Sequence, residues 1–478
     1  MGTTRSTIRS IMIILLMAML VAGCRHQSSR HYGIGGEDNG GGEGVSEEVV
    51  NKPVIKTHPL SQTVPVGATA VFFVEAMDPS GVTYQWQQSA DGTDWTDIPG
   101  ATDSSYGLAA DAHAWFRCIL TNAGGSAASN AAELTAVKVR FVKLDAAGNN
   151  DGTSWTDAYT DLQSALTPVP DGERIEVWVA AGTYRPTAGY DRGASFVMKE
   201  NLDLYGGFAG DEANREARDP ETNKAILSGD INVQGNKTDN SYCVVRGADG
   251  SILDGFTITG AYSPFMCNSG GMVNSSSSPS VTNCIFTGNE SYQGGGMSNY
   301  ASSPTVTGCI FIGNKAAFGG GMYSTCSSNP AVLSCVFSGN SASNSGGGLY
   351  TANGSNTFIN GSTIVGNSAE KWGGGVKTEL CSATDIINSI LWDNAAGCGW
   401  AQVAGMAAIS YSCVQGGAAG AGNIADDPLL GADLTLQAGS PCIDAGLDGA
   451  AAGILFDLSG NPRTSGAHVD MGAFEFQE

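Results

Sequence analysis

An all-β chain built around a parallel β-helix is what three features of this 478-residue sequence predict. The first is a beat ending in asparagine: Phe286-Thr287-Gly288-Asn289, Phe311-Ile312-Gly313-Asn314, Phe337-Ser338-Gly339-Asn340, Ile364-Val365-Gly366-Asn367 and Leu391-Trp392-Asp393-Asn394. Its asparagines stand 25, 26, 27 and 27 residues apart. The second is a glycine beat between them, Gly270-Gly271-Met272, Gly294-Gly295-Gly296-Met297, Gly319-Gly320-Gly321-Met322, Gly346-Gly347-Gly348-Leu349 and Gly373-Gly374-Gly375-Val376, which keeps nearly the same period. The third is the local pattern. Short alternating runs such as Ser280-Val281-Thr282 and Cys284-Ile285-Phe286 fit strands, and nothing in the unit carries a helical period. Two markers sharing one period mean stacked repeats. A unit of about 26 residues, made of three short strands and turns, winds into one coil of a parallel β-helix.

Successive coils then lie about 4.8 Å apart, with like residues stacked on like. Phe286, Phe311 and Phe337 are expected to point inward as one column that Ile364 continues. Cys284, Cys309 and Cys335, followed by Ser362 and Ser389, form a column of small residues beside it. Asn283, Gly308 and Ser334 precede those cysteines and suit a sharp corner with positive φ. The asparagine beat marks a second corner, where stacked side-chain amides can bond along the axis.

In chain order, Arg5 and Arg9 precede an apolar run, Ile11 to Ala22, that closes on Val21-Ala22-Gly23-Cys24. A basic start, a short apolar core and small residues before the break read as an export signal over residues 1–23, too short to span a membrane. The Val-Ala-Gly-Cys ending resembles the bacterial lipoprotein signal, which implies cleavage before Cys24 and acylation of its thiol. The expected setting is the bacterial outer membrane and the cell surface, with the membrane as a partner through the lipid. Residues 24–51 are rich in Gly, Ser and Glu without apolar periodicity and read as a flexible tether.

Residues 52–138 carry strand runs between turn signals, among them Val71-Phe72-Phe73-Val74, Tyr84-Gln85-Trp86-Gln87 and Trp115-Phe116-Arg117-Cys118, and suit a small sandwich. This stretch resembles a bacterial immunoglobulin-like domain, with Trp86 in the buried-tryptophan place and Cys118 closing the later strand. Phe72 or Phe73 stands where that family's first cysteine would be, so no inter-sheet disulfide is expected.

The β-helix is expected over 139–425, with its C-terminal end over 426–478. Thr156-Asp157 reads as the N-cap of an amphipathic helix carrying Ala158, Leu162, Ala165 and Leu166 on one face, placed to cover the open first coil. Several landmarks follow in order: Asn150-Asp151-Gly152-Thr153-Ser154-Trp155, Ala180-Ala181-Gly182-Thr183-Tyr184, Leu204-Tyr205-Gly206-Gly207-Phe208, Leu253-Asp254-Gly255-Phe256-Thr257-Ile258, Gly439-Ser440-Pro441-Cys442-Ile443-Asp444-Ala445-Gly446 and Asp470-Met471-Gly472-Ala473-Phe474-Glu475. By these, residues 139–475 resemble the bacterial right-handed β-helix proteins that end in the choice-of-anchor Q module. The glycine and Phe-x-x-Asn beats are also those of chlamydial polymorphic outer-membrane proteins. The resemblance implies a right-handed, pectate-lyase-like solenoid at the cell surface and no established reaction.

The net charge is −23 and, without the two positive charges of Arg5 and Arg9, −25. That balance argues against nucleic acid, which needs basic patches. Of 12 cysteines, acylation of Cys24 leaves an odd number, so at least one thiol is free within the chain. No Cys/His spacing suits zinc.

Pectin-active enzymes share the expected fold, so a polysaccharide lyase or glycoside hydrolase is one reading. Lyase chemistry needs a cationic base and a calcium-binding carboxylate cluster. Arginine is missing between Arg246 and Arg463, and histidine between His113 and His468. No catalytic residue is assigned. Calcium is the one candidate ion, at Asp145, Asn149, Asn150 and Asp151, although Asn-Asp-Gly runs are mainly turns. A second reading is binding of a glycan or a surface protein. Tyr323 and Tyr350 follow the apolar residue of successive glycine beats and should project outward in one column, between Ser298 and Lys377. Phe318 and Trp372 precede their glycine triplets two coils apart. Such a row could stack on sugar rings or anchor a partner. The third reading is a plain structural stalk. The expected role is adhesion or glycan or partner binding without catalysis.

Overall fold

The computed structural model describes residues 50–265, 269–451 and 453–477. Cys24, the signal over residues 1–23 and the tether up to residue 49 lie outside the described residues. The chain divides into two units between Ala136 and Val137.

The first unit is a β-sandwich. Thr69–Phe73 pairs antiparallel with Ser105–Ala109, and Thr83–Ser89 pairs with Ala114–Asn122, which also pairs with the start of Ala132–Val142. Alternation along these strands sends Phe72, Trp86, Phe116, Cys118 and Leu120 into one core. Phe72 and Phe116 stack with centroids 4.9 Å apart, and Trp86 lies 6.3 Å from Phe72. Phe72, not Phe73, is therefore the aromatic that fills the space beside Trp86, while Phe73 is exposed. Ring packing fills this core.

The second unit is a parallel solenoid. One ladder runs from residues 138–142 through Ile175–Ala180 and Leu202–Phe208 to Ala407–Ser410. Beside it stand a nine-stranded ladder from Gly182–Tyr184 to Cys413–Val414 and an eight-stranded one from Phe196–Val197 to Val403–Ala404. The three strands expected per coil are joined by a fourth, short ladder of six strands from Tyr262–Ser263 to Ala395–Ala396. It exists because two or more residues after each Asn corner stay extended before the glycines turn the chain again.

The columns follow the register of the repeats. Phe286 pairs with Phe311, and Phe311 with Phe337, then Ile364. Their rings stack face on face at 4.6 and 4.5 Å, tilted by 4° and 1°. Cys284, Cys309 and Cys335 are fully buried beside them. The backbone N–H of Cys284 points at the Cys309 sulfur, and that of Cys309 at the Cys335 sulfur, each at 3.4 Å. Asn283, Gly308 and Ser334 have φ of 50°, 60° and 49°, the corner that the small residues before the cysteines anticipate. At the other corner Asn289, Asn314, Asn340, Asn367 and Asn394 form one amide ladder, with side-chain bonds of 2.9–3.1 Å.

Close approach explains the glycine triplets. A Cβ on Gly320 would lie 2.5 Å from the Gly347 carbonyl oxygen. One on Gly321 would lie 2.6 Å from the Gly348 oxygen and 2.7 Å from Phe337. The backbones of neighbouring coils touch here, so no side chain fits.

The expected amphipathic helix is reduced to one turn, Leu162–Ala165, capped by Asp161, whose carboxylate accepts the Ser164 N–H at 2.9 Å. Asp157 instead closes the preceding loop, accepting the Asn149 N–H at 2.8 Å and the Ser154 hydroxyl at 2.9 Å. Leu162, Ala165 and Leu166 still enter the solenoid core.

The C-terminal stretch does more than end the last coil, because it lies against the side of the solenoid. The Gly472 and Ala473 N–H groups donate to the Asn388 carbonyl at 2.8 Å and the Thr363 hydroxyl at 3.0 Å. Buried Arg463 donates through Nη2 to the Asp470 and Gly472 carbonyls at 2.9 and 2.7 Å, holding the returning tail.

Candidate functional site

The short ladder carries a groove on the solenoid's outside. Its register aligns Glu290, Lys315, Ser341 and Ser368 in one exposed or half-buried column. Ala316, Ala342 and Ala369 alternate with it and face inward. Small side chains on successive coils leave a shallow trough of about 420 Å³, lined also by Pro264, Ala317, Ser343 and Glu370. Glu290 is engaged by Lys237, Nζ to Oε2 at 3.0 Å, and the Lys237 ammonium also sits 4.7 Å from the Tyr262 ring centre.

A second column follows one to three residues later in each coil: Gln293, Phe318, Ser345 and Trp372, aligned by parallel bridges and by the Phe318–Ser345 pair. Phe318 and Trp372 thus share one column two coils apart, as their place before the glycine triplets implies. Two coils amount to about 9.6 Å. Trp372 is 39% exposed, and the Lys377 ammonium lies 6.0 Å from its ring centre. Phe318 is half-buried, edge-on to Tyr292 at 5.8 Å and to Tyr350 at 5.3 Å.

Tyr323 and Tyr350 hold the expected register between Ser298 and Lys377, and they turn away from the central core. They are not exposed, however, at 6% and 5%. The two rings stack at 5.4 Å and are roofed by Phe318. Their hydroxyls are also occupied. Gln293 donates to the Tyr323 oxygen at 3.1 Å, and the Tyr350 hydroxyl donates to the Glu379 carboxylate. Burial first, then Glu379, holds the Tyr350 phenol far above its usual range. This corrects their reading as ligand platforms: they are the bed on which Phe318 rests. The covering residues come from neighbouring coils, so single-column reasoning could not reveal them.

Sequence reasoning missed the trough, Tyr292 and Trp400, which is 70% exposed one coil beyond Trp372. The signal for the trough was there, in the recurrence of Ser or Ala two residues after each asparagine corner, at Ser291, Ala316, Ala342, Ala369 and Ala396. Two of the four calcium candidates, Asn150 and Asp151, bond within the local loop. Asn150 accepts the Thr160 N–H at 2.7 Å and Asp151 the Thr153 N–H at 3.0 Å, so these side chains build the turn. Among the described residues no group of three or more His, Cys, Asp or Glu is placed to hold a metal ion.

The acidic groups of the trough are spread out. Glu290 and Glu370 are separated by three coil steps, about 14 Å. Paired-carboxylate glycoside hydrolysis works at separations of about 5–9.5 Å. What the arrangement can do is hold an extended molecule against hydroxyls, apolar methyls and an aromatic edge.

Fold and site together define a right-handed parallel β-helix protein with a shallow outer groove. Residues 225–391 match a family model described as the right handed beta helix region, and residues 56–140 match one described as a domain of unknown function (DUF8696). A stretch of 96 residues, 20% of this chain, is 36% identical to Endoglucanase C of Cellulomonas fimi. It spans 9% of that protein's length.

Proposed function

We propose that this is a lipid-anchored bacterial surface protein whose β-helix binds an extended glycan along the short-ladder groove, without turning it over. In this reading Cys24 carries the lipid, the sandwich is an immunoglobulin-like spacer, and residues 426–478 are a choice-of-anchor-type end. The observation that carries it is the serine-lined trough, with half-buried Phe318 and exposed Trp372 one and two residues beyond its lining residues Ala317 and Glu370. Aromatic faces stack on the apolar faces of sugar rings while hydroxyls serve their edges. The partial likeness to an endoglucanase fits a carbohydrate setting, though it concerns a small part of that protein.

The soluble mature chain, screened on a glycan array beside its Trp372→Ala variant, tests the reading. Retention of one or more linear glycans by the wild type and its loss in the variant are expected. No retention by either would overturn glycan binding in favour of a plain stalk. The lyase or hydrolase reading is checked by incubation with polyuronates and neutral glucans, with and without calcium. Product formation would replace the binding role with catalysis. Metabolic labelling with a fatty acid, lost in Cys24→Ala, checks the anchor.

A further inference from the structure

The last strand of the nine-stranded ladder, Cys413–Val414, and the C-terminal stretch each bring one fully buried cysteine to a common cluster. Cys413 and Cys442 pack there with Ile390, Leu436 and Met471. Both side chains therefore lie in one buried cluster. Cys413 also donates to the Asp426 carbonyl at 3.2 Å, while the Cys442 backbone is fixed by Ser440 at 3.2 Å and by the Met471 N–H at 3.0 Å. The contrast with Cys284, Cys309 and Cys335 is instructive. Those three repeat one position on parallel strands, so their side chains leave the backbone in the same direction. Cys413 and Cys442 come from different elements and share one buried cluster, so their side chains converge from separate backbones.

We propose that Cys413 and Cys442 form a disulfide that staples the C-terminal stretch to the end of the solenoid. The inference rests on the export reading above, since bridges persist in oxidising compartments. The step is thiol–disulfide exchange with an exported protein oxidant bearing a dithiol disulfide. One cysteine thiolate attacks that disulfide, forming a mixed disulfide and releasing one oxidant thiol. The other cysteine then attacks the mixed bond, closing Cys413–Cys442 and releasing the second oxidant thiol. Two cysteine thiols are oxidised, one oxidant disulfide is reduced, and the two protons end on the oxidant. Both sulfurs are sealed from solvent in the folded chain, so closure belongs to the moment when the C-terminal stretch docks. The neighbouring Cys413 and then burial push the Cys442 thiol up, which makes late oxidation slower still.

The test is peptide mapping by mass spectrometry, under non-reducing conditions, of the exported mature chain alkylated in denaturant. The expected result is one linked peptide pair holding Cys413 and Cys442, lighter by two hydrogens than its reduced parts. Cys284, Cys309 and Cys335 should be recovered alkylated. Recovery of Cys413 and Cys442 as alkylated thiols from exported chain would overturn the proposal. The same result from chain that fatty-acid labelling shows was never exported would overturn the export reading instead. As a second readout, a reductant should lower the unfolding midpoint of the wild type and leave that of the Cys413→Ser, Cys442→Ser double variant where it was. Equal responses would contradict the bridge.

Discussion

The side-chain oxygen of Asn340 accepts two hydrogen bonds from Asn314, one from its backbone N–H and one from its side-chain amide, each at 3.0 Å. Asn340 in turn donates to Asn367 in the same two ways, at 3.0 and 2.9 Å, and its amide reaches the Phe311 carbonyl at 2.9 Å. One buried residue thus satisfies backbone and side-chain groups on both neighbouring coils. Replacing it by Ala leaves several of them unpaired, at about 1–3 kcal/mol each. Asn340→Ala should lower stability by several kcal/mol in urea unfolding. A change under 1 kcal/mol would mean that water repairs the gap.

The glycine triplets make a sharper contrast. Gly320→Ala drives a methyl into the Gly347 carbonyl, where only backbone could give way. Gly313, with φ of +65° and nothing within 4 Å, sits on the rim. Gly320→Ala should cost at least about 3 kcal/mol, at the upper end for overpacking, whereas Gly313→Asn should cost a few tenths, since Asn tolerates that conformation. The two unfolding midpoints decide it.

Acidity acts on the C-terminal stretch. Burial first, with the Asp470 charge adding to it, lifts the Glu475 carboxyl to about 7, despite Ser465 and Asp470 N–H donors and Arg463 at 3.7 Å. Asp470 is raised as well, chiefly by burial. An acid whose folded pKa lies above its unfolded value of 4.5 binds its proton more tightly when folded. Its contribution is therefore full below pH 4.5 and is lost as the pH rises through about 7. For Glu475 the total is up to about 3 kcal/mol. Glu475→Gln should flatten the wild type's decline in stability between those pH values, as read by thermal unfolding. An unchanged slope would assign it to Asp470.

The tyrosine pair separates support from contact. Tyr350→Phe removes the hydroxyl that donates to Glu379 and should cost about 1–2 kcal/mol of stability. It should leave glycan retention intact, because neither ring faces solvent. A loss of retention at full stability would return Tyr350 to the binding surface.

Much of this was legible because a solenoid converts sequence period into spatial adjacency. Asn289, Phe286, Cys284 and Gly295 could each be placed by counting, and their columns stand where the period puts them. The period says what lies above and below a residue. It does not say what leans over it from the next corner, and that is where the outward reading of Tyr323 and Tyr350 failed. The short ladder escaped notice because its strands are two to five residues long and turn mostly small Ser or Ala side chains inward, with little apolar contrast. At the two ends the period stops. There Asp161 supplies the cap that the sequence places at Thr156-Asp157, and the sideways docking of the tail through Arg463 has no marker.

The most direct test is calorimetric titration of the mature chain with linear oligosaccharides of increasing length, chosen from whichever glycan the array retains. Affinity should rise with length until the trough is filled and then level off. Trp372→Ala should weaken the longest ligand at least tenfold, about 1.4 kcal/mol, while Tyr350→Phe matches the wild type. Equal affinity of Trp372→Ala and wild type, or no titration at any length, would contradict a glycan site in this groove.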